Sequence, residues 1–258
     1  MKKFLITLAS GGFILAAGLN TAVAQDDDDD DGGAAPVEIY TCSYVEGKGP
    51  ADLDRVIAKW NKWADDQGMN DYSAWTMTPF YSSPEQEFDV IWMGVTETGQ
   101  GMGAAQDSWL ANGGELAADF DSVSPCDAHS MFAAVNVKKP PEREDPSSVV
   151  IAFRDCTVGD DHSFTDDVMP ALNAWGEFRS GHGSTAGTWV FFPVYGGGGE
   201  EYDFKLVVSH GNHAEQGADF DNYDPAKARE IFPKGMLDCD SSRVYNANNI
   251  RMAESDDE

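Results

Sequence analysis

The seven residues Trp75–Tyr81, WTMTPFY, are matched 114 positions later by Trp189–Tyr195, WVFFPVY. Tryptophan, proline and tyrosine hold the same places in both stretches, and an aromatic residue followed by aspartate comes seven positions after each tyrosine. Extended in both directions, the same register aligns residues 37–138 with residues 149–251 at an offset of 113 to 115. The aligned positions include both cysteines of each segment. The sequence therefore predicts a duplicated domain.

The N-terminus has the three parts of a bacterial secretory signal peptide. A basic start is followed by a short apolar run and by Ala22-Val23-Ala24, a typical cleavage site. We expect cleavage after Ala24 and a periplasmic or secreted product. The remaining boundaries are an acidic, disordered leader over 25–36, repeat 1 over 37–138, a charged and proline-rich linker over 139–148, repeat 2 over 149–251 and an acidic tail over 252–258.

The charge of the chain excludes one large class of functions. The 258 residues include 45 Asp and Glu against 17 Lys and Arg, which gives a formal net charge of −28. Such a surface repels nucleic acids, so we expect no nucleic-acid partner. After the N-terminal segment the sequence contains no second apolar run of about 18 residues, so we expect no membrane span. A structural protein that binds cationic partners remains open on composition alone.

Four cysteines, one pair in each repeat, permit three disulfide pairings. Duplication favours a bridge inside each repeat, Cys42 with Cys126 and Cys156 with Cys239, because each ancestral unit would contain its own disulfide. Export supplies the oxidising compartment that disulfides need. A metal site made of the four cysteines is the alternative, and the absence of any C-x-x-C pair disfavours it.

Each repeat has the element order β-α-β-β-α-β, which is ferredoxin-like and belongs to the α+β class. Alternating apolar residues predict the strands, and a stripe of apolar residues at helical spacing follows Pro50. In repeat 1 the predicted strands are 37–44, 72–81, 88–96 and 128–137, with a helix after Pro50 and another over 102–119, interrupted near Gly113. In repeat 2 the predicted strands are 149–153, 188–195, 202–209 and 242–250, with helices over 164–178 and 215–231.

In element order, repeat length and duplication, the chain resembles the dimeric α+β barrel superfamily in its tandem form. The resemblance implies that the two repeats pack as one barrel, within one chain or between two, and the oligomeric state stays open. The superfamily includes cofactor-free monooxygenases, haem-binding enzymes, small isomerases and ligand-binding stress proteins. The sequence carries no nucleophile elbow, phosphate loop or dinucleotide fingerprint that would choose among these activities.

Aromatic residues at strand spacing are the first candidate site. Strand alternation places them on one face of the second strand of each repeat, where they would line a pocket for an apolar ligand. The alternative is that they form ordinary core. The predicted ligand-binding residues are Trp75, Tyr81, Trp189, Phe191 and Tyr195.

The distribution of histidine is the second candidate signal, because four of the five histidines lie in repeat 2. His210 and His213 stand where a strand ends, and His182 follows the first helix of that repeat. Neutral imidazoles bind metals or haem and act as acids or bases near neutral pH, while exposed loop histidines need no function. We therefore expect an exported protein that binds a small, mostly apolar ligand between the repeats. The alternative is a monooxygenase-like or haem-handling enzyme that uses these histidines, with haem or a metal as the candidate cofactor.

Overall fold

The computed structural model describes residues 33–84, 86–143 and 146–253. The predicted signal peptide lies outside the described residues, as do most of the predicted leader and acidic tail. The first strand begins at Ala35, so the last two residues of the predicted leader belong to a strand.

The first half of the chain contains four strands and three helices. In chain order they are β1 Ala35–Cys42, α1 Pro50–Asp66, β2 Ser73–Tyr81, β3 Val90–Val95, α2 Gly99–Asn112, α3 Gly114–Asp121 and β4 Cys126–Lys138. Proline at the first position of α1 suits a helix start, because its missing N–H would have no partner there. The buried residues of α1 recur every three or four positions and turn one face towards the sheet, as the apolar stripe predicts.

The second half contains five strands and three helices. They are β5 Ser148–Val158, a π-helical turn Phe164–Val168 that continues into α4 Met169–Gly181, β6 Gly187–Tyr195, β7 Phe204–His210, α5 His213–Asp221, α6 Pro225–Ile231, β8 Leu237–Cys239 and β9 Arg243–Arg251. The short strand β8 escapes prediction because three residues are too few to show alternation.

Eight of these strands form one closed antiparallel barrel within a single chain. The order around the barrel is β4-β1-β3-β2-β9-β5-β7-β6, and β6 pairs with β4 to complete the circle. The two halves meet where β2 pairs with β9 and where β4 pairs with β6. The short β8 pairs only with β5. The described chain is thus an α+β protein with an eight-stranded barrel and six α-helices, which agrees with the predicted class.

Apolar side chains from both halves fill the interior of the barrel. Met77 and Ile91 from the first half pack with Phe153, Phe191 and Tyr245 from the second in one buried cluster. The helices pack against the outer face of the sheet, where separate clusters form around Trp60 and Val190. The interior therefore holds the main core, and space for a ligand has to be sought between the sheet and the helices.

Two predicted helices are each divided in the structure. The helix predicted over 102–119 ends at Asn112, and α3 begins at Gly114. A Cβ on Gly113 would approach the backbone oxygen of Trp109 to 2.6 Å, so only glycine fits this break. The helix predicted over 215–231 is divided because Asp224 caps a new helix, accepting hydrogen bonds from the backbone N–H groups of Ala226 and Lys227.

Each half of the chain contains one disulfide. Cys42 in β1 is bonded to Cys126 in β4, and Cys156 in β5 is bonded to Cys239 in β8. These are the pairs that duplication favours. The strands that carry each pair are hydrogen-bonded neighbours, so each bridge crosses a single gap between strands. In the described part of the chain, no helix is long and apolar enough to span a bilayer.

Replacing Cys156 and Cys239 together with serine releases a loop of 83 positions. Loop-closure entropy predicts a loss of about 4 kcal/mol in the free energy of unfolding, measured by guanidinium denaturation. The Cys42→Ser, Cys126→Ser double variant is the matched comparison, because its loop spans 84 positions. An unchanged denaturation midpoint in either variant would contradict the prediction.

Candidate functional site

Two cavities lie between the helices and the outer face of the barrel, one in each half. The first cavity, of about 630 Å³, is bounded by β1, β3 and the helices α1, α2 and α3. The second cavity, of about 850 Å³, is bounded by β5, β7, α4 and α5, with the end of β2 at its rim. The volumes of both fall in the range of small-molecule sites.

A buried carboxylate, Glu38, forms the polar floor of the first cavity. Glu38 is only 5% exposed and lies on β1. The Tyr72 hydroxyl donates a hydrogen bond of 2.5 Å to its Oε1. Its Oε2 lies 2.9 Å from Nε2 of His129, 3.2 Å from the Gln106 amide nitrogen and 3.3 Å from the Tyr40 hydroxyl. The carboxylate thus meets four hydrogen-bonding groups brought together from three elements, β1, α2 and β4, and one loop.

The strand opposite Glu38 makes room for this network. Gly94 on β3 is the register partner of Glu38, and a Cβ on Gly94 would lie 1.8 Å from the Tyr72 hydroxyl oxygen. The next aromatic residue on the same face, Trp92, donates its indole N–H to that oxygen at 3.1 Å. On the other side the Tyr40 and His129 rings stack at 3.8 Å. Glycine is therefore required at position 94, because any side chain there would collide with the Tyr72 hydroxyl.

Hydrogen bonding decides the protonation states on this floor. Burial pushes the pKa of Glu38 upward, but hydrogen bonds from His129, Tyr72 and Gln106 outweigh it, and the pKa lies below its ordinary value. Burial, together with the nearby Glu38 carboxylate, raises the pKa of Tyr72 and of Tyr40. At neutral pH the carboxylate is therefore ionised and both phenols keep their protons.

Aromatic rings form the walls of the first cavity. Four of the seven tryptophans of the chain line it. Trp60 meets Trp92 edge-to-face at 4.6 Å, and Trp63 meets Trp109 in the same way at 5.4 Å. Phe120 of α3 contacts both Trp92 and Trp109. These edge-to-face contacts fix the rings on rigid helices and strands.

The second cavity contains His210, and its surroundings define the tautomer and the protonation state of its ring. His210 is 5% exposed, and its Nε2 lies 2.8 Å from Oδ2 of Asp219, which also accepts a hydrogen bond from Arg179. Because a carboxylate only accepts, Nε2 carries the proton and Nδ1 keeps a lone pair. That Nδ1 is buried and has no hydrogen-bond partner among the described residues. Burial and the Arg179 guanidinium lower the pKa of His210 to about 4, so the ring is neutral.

The other two histidine candidates are differently placed. His213 also lines the second cavity, but its Nε2 contacts Oδ1 of Asn246 at 2.8 Å and its Nδ1 contacts Oε1 of Gln216 at 3.3 Å. His182 lies outside the cavity at the end of α4, where its Nδ1–H donates to the Phe178 carbonyl at 2.8 Å. The structure thus brings His210 and His213 together and leaves His182 apart.

The predicted aromatic residues lie mostly on the inner side of the barrel. Phe191 belongs to the buried interior cluster, and Trp75 and Trp189 are partly buried against it. Tyr195 is 69% exposed at the end of β6, and Tyr81 is 60% exposed at the rim of the second cavity. A ligand role for these five residues stays a prediction, and the two cavities lie on the face of the sheet opposite Trp75, Trp189 and Phe191.

Sequence reasoning missed the floor of the first cavity. Its members, Glu38, Tyr72, Gln106 and His129, are scattered over 91 positions and share no motif. One signal was present: in the strand VEIYTC, Glu38 and Tyr40 fall on the face opposite Val37 and Ile39. A charged residue on the sheet face that the helices cover is unusual and marks a polar site.

No known protein family and no curated protein matches this sequence. Solved structures do match its fold. A provisionally assigned chlorite dismutase has a TM-score of 0.54 at 11% identity, covering 84% of this chain and 95% of that one. A mutant chlorite dismutase from Candidatus Nitrospira defluvii has a TM-score of 0.53 at 7% identity, covering 84% and 93%. An anthrone oxidase-like protein has a TM-score of 0.50 at 10% identity, covering 88% and 97%.

These likenesses show the fold alone. They are consistent with the dimeric α+β barrel superfamily that the sequence resembles, and they identify no family within it.

The lowered pKa of Glu38 predicts a pH-dependent contribution to stability. An unfolded glutamate titrates near its ordinary value of 4.5, and the folded pKa lies below it. The stabilisation is therefore complete above about pH 5.5 and is lost as the pH falls through the folded pKa. In urea denaturation, the difference in unfolding free energy between the wild type and Glu38→Gln should be constant from about pH 5.5 to 8 and should shrink below about pH 4.5. A difference that grows on acidification would show that the folded protein holds Glu38 protonated.

Proposed function

We propose that the chain is an exported protein that binds a small, mostly apolar ligand in the first cavity. One observation carries the proposal: four tryptophans and a hydrogen-bonded carboxylate line a single cavity of about 630 Å³. Pockets of this kind, apolar with a few convergent polar groups, are the usual form of a small-molecule site. Export rests on the signal-peptide pattern, and the two disulfides are compatible with it.

The packing of the barrel supports the first cavity, and not the barrel interior, as the ligand site. The inner face is occupied by packed side chains of both halves, whereas the first cavity is open space on rigid walls. The exposed Leu110 at its rim, 82% accessible, extends the apolar lining to the surface. A ligand that entered there would cover aromatic surface and bring its polar end towards Glu38.

A neutral apolar probe tests this function. N-phenyl-1-naphthylamine should bind and accept energy from the lining tryptophans, which quenches their emission. Trp109→Leu removes one wall and should weaken binding by about fivefold, because an aromatic contact is worth roughly 1 kcal/mol beyond its area. Tyr223→Leu in the second cavity is the control and should leave binding unchanged. Equal effects of the two substitutions, or no binding by the wild type, would contradict the proposal.

A second candidate function, haem handling, is favoured by the state of His210. Its buried Nδ1 has a free lone pair while its Nε2–H is held by Asp219, and this is how metal-binding histidines are usually oriented by a carboxylate. Arg154 and Arg179 line the same cavity and would balance the carboxylates of a haem. Haem needs one protein ligand, and among the described residues no three His, Cys, Asp or Glu side chains are grouped to hold a bare metal ion.

In this arrangement His210 would be the iron ligand and Asp219 would fix its tautomer. Bound haem would supply redox chemistry at the iron. The cavity of about 850 Å³ would exclude bulk water from one face of the group.

Haemin titration tests the second candidate. The wild type should develop a Soret band with one haem per chain, and His210→Ala should abolish or shift that band. His213→Ala should have a smaller effect, because both ring nitrogens of His213 are already hydrogen-bonded, and His182→Ala should have none. A spectrum that is the same in all three variants would exclude these histidines as ligands.

The domain organisation is part of the proposal. The order β4-β1-β3-β2 in one half and β9-β5-β7-β6 in the other supports two ferredoxin-like repeats that arose by duplication. The same order supports boundaries near 37–138 and 149–251.

A further inference from the structure

The two cavities are built on equivalent positions of the two halves. Strand register pairs Glu38 with Gly94 in the first half and Ala152 with Val208 in the second. Two residues further along, it pairs Tyr40 with Trp92 and Arg154 with Leu206. Of these positions, Glu38, Tyr40 and Trp92 line the first cavity, and Ala152, Val208, Arg154 and Leu206 line the second. One cavity thus has a carboxylate where the other has a methyl group, and a phenol where the other has a guanidinium.

These differences at equivalent positions give the two cavities different net charges. The acidic and basic side chains along the first cavity are Glu38, Asp121, Asp127 and His129, and no lysine or arginine is found among its described lining residues. In the lining of the second cavity, Arg154 and Arg179 balance the carboxylates of Asp219 and Asp221. With a net charge of −28 on the whole chain, the first cavity attracts cations from solution.

The walls of the first cavity suit a cation as well. Tryptophan presents the strongest negative π-face of the aromatic side chains, and four tryptophans line this cavity. A cation there would lie among tryptophan rings, with the ionised Glu38 at the floor. A neutral apolar ligand would gain the contact with the rings and nothing from the charge.

The hydrogen bonds of Glu38 restrict the kind of cation. Its two oxygens already meet groups from Tyr72, His129, Gln106 and Tyr40, so little acceptor capacity is left for a ligand N–H. A primary ammonium group that approached the floor of the cavity would therefore lose its hydration without finding a free acceptor on Glu38. An ammonium group whose substituents are all carbon loses little, because it interacts through its charge and its apolar surface.

We propose that the ligand of the first cavity is a small organic cation with a quaternary ammonium group. This inference rests on the proposed function of the first cavity and names the class of its ligand. It assigns Glu38 the role of an electrostatic anchor and the four tryptophans the role of a cation-binding cage.

Choline and its neutral isostere 3,3-dimethyl-1-butanol form the matched pair of probes. They have the same shape and differ in one charge. In tryptophan fluorescence titrations at constant ionic strength, choline should bind the wild type about tenfold more tightly than the alcohol. Glu38→Gln should remove most of that advantage by weakening choline alone. Arg154→Gln in the second cavity is the control and should preserve it.

The outcomes separate the inference from the proposed function. If the alcohol binds as tightly as choline, or if choline fails to bind while N-phenyl-1-naphthylamine does, the inference is overturned and the apolar site stands. If none of the three probes binds, both fail. Should Glu38→Gln not fold, the comparison of choline with the alcohol on the wild type still decides.

A final arm distinguishes the source of the cation. Vesicles of phosphatidylcholine present the same quaternary ammonium group on a lipid. One outcome is that the protein sediments with these vesicles, while free choline binds weakly but still more tightly than the alcohol. This outcome would support the inference with a lipid headgroup as the ligand. Tight binding of free choline without sedimentation would support it with a free small molecule.

Discussion

The hydrogen bonds that join β2 to β9 and β4 to β6 close the barrel, and the positions of both cavities follow from that closure. Once closed, the barrel turns the inner side chains of eight strands towards one axis, where residues such as Met77 and Phe153 fill the space. The outer face then has to be covered by helices. The first cavity and the second cavity both lie between these two layers, one in each half.

Local pattern in the sequence was enough to predict much of this fold. Alternation places Trp75 and Met77 on one face of β2, and both contribute to the interior. The spacing of Leu53, Val56 and Trp60 predicts the buried face of α1, which the structure confirms. The interruption predicted near Gly113 is confirmed, whereas the start of α6 was missed, because it begins at a cap that apolar periodicity does not show.

Local pattern in the sequence could not predict the candidate site, and the reason is physical. Glu38 and His129 are 91 positions apart, and only the pairing of β1 with β4 makes them neighbours. The uneven distribution of histidine pointed to His210 and His213 and added His182 as a further catalytic candidate, without showing how His210 and His182 differ physically. What distinguishes the two is burial and a carboxylate partner for the ring, and both arise from tertiary packing.

The contrast between the halves indicates that the Glu38 network has a role other than holding the fold. A buried ionised carboxylate costs free energy, and at Glu38 this cost is outweighed only because four groups converge on the carboxylate. At the equivalent position the second half has Ala152, which packs with Val150 and Val244. The strands β5 and β7 pair there in the register that β1 and β3 have in the first half. The barrel therefore forms without a carboxylate at this point of the sheet. Formation of the barrel does not require Glu38, whereas the electrostatic role that we propose in the first cavity does.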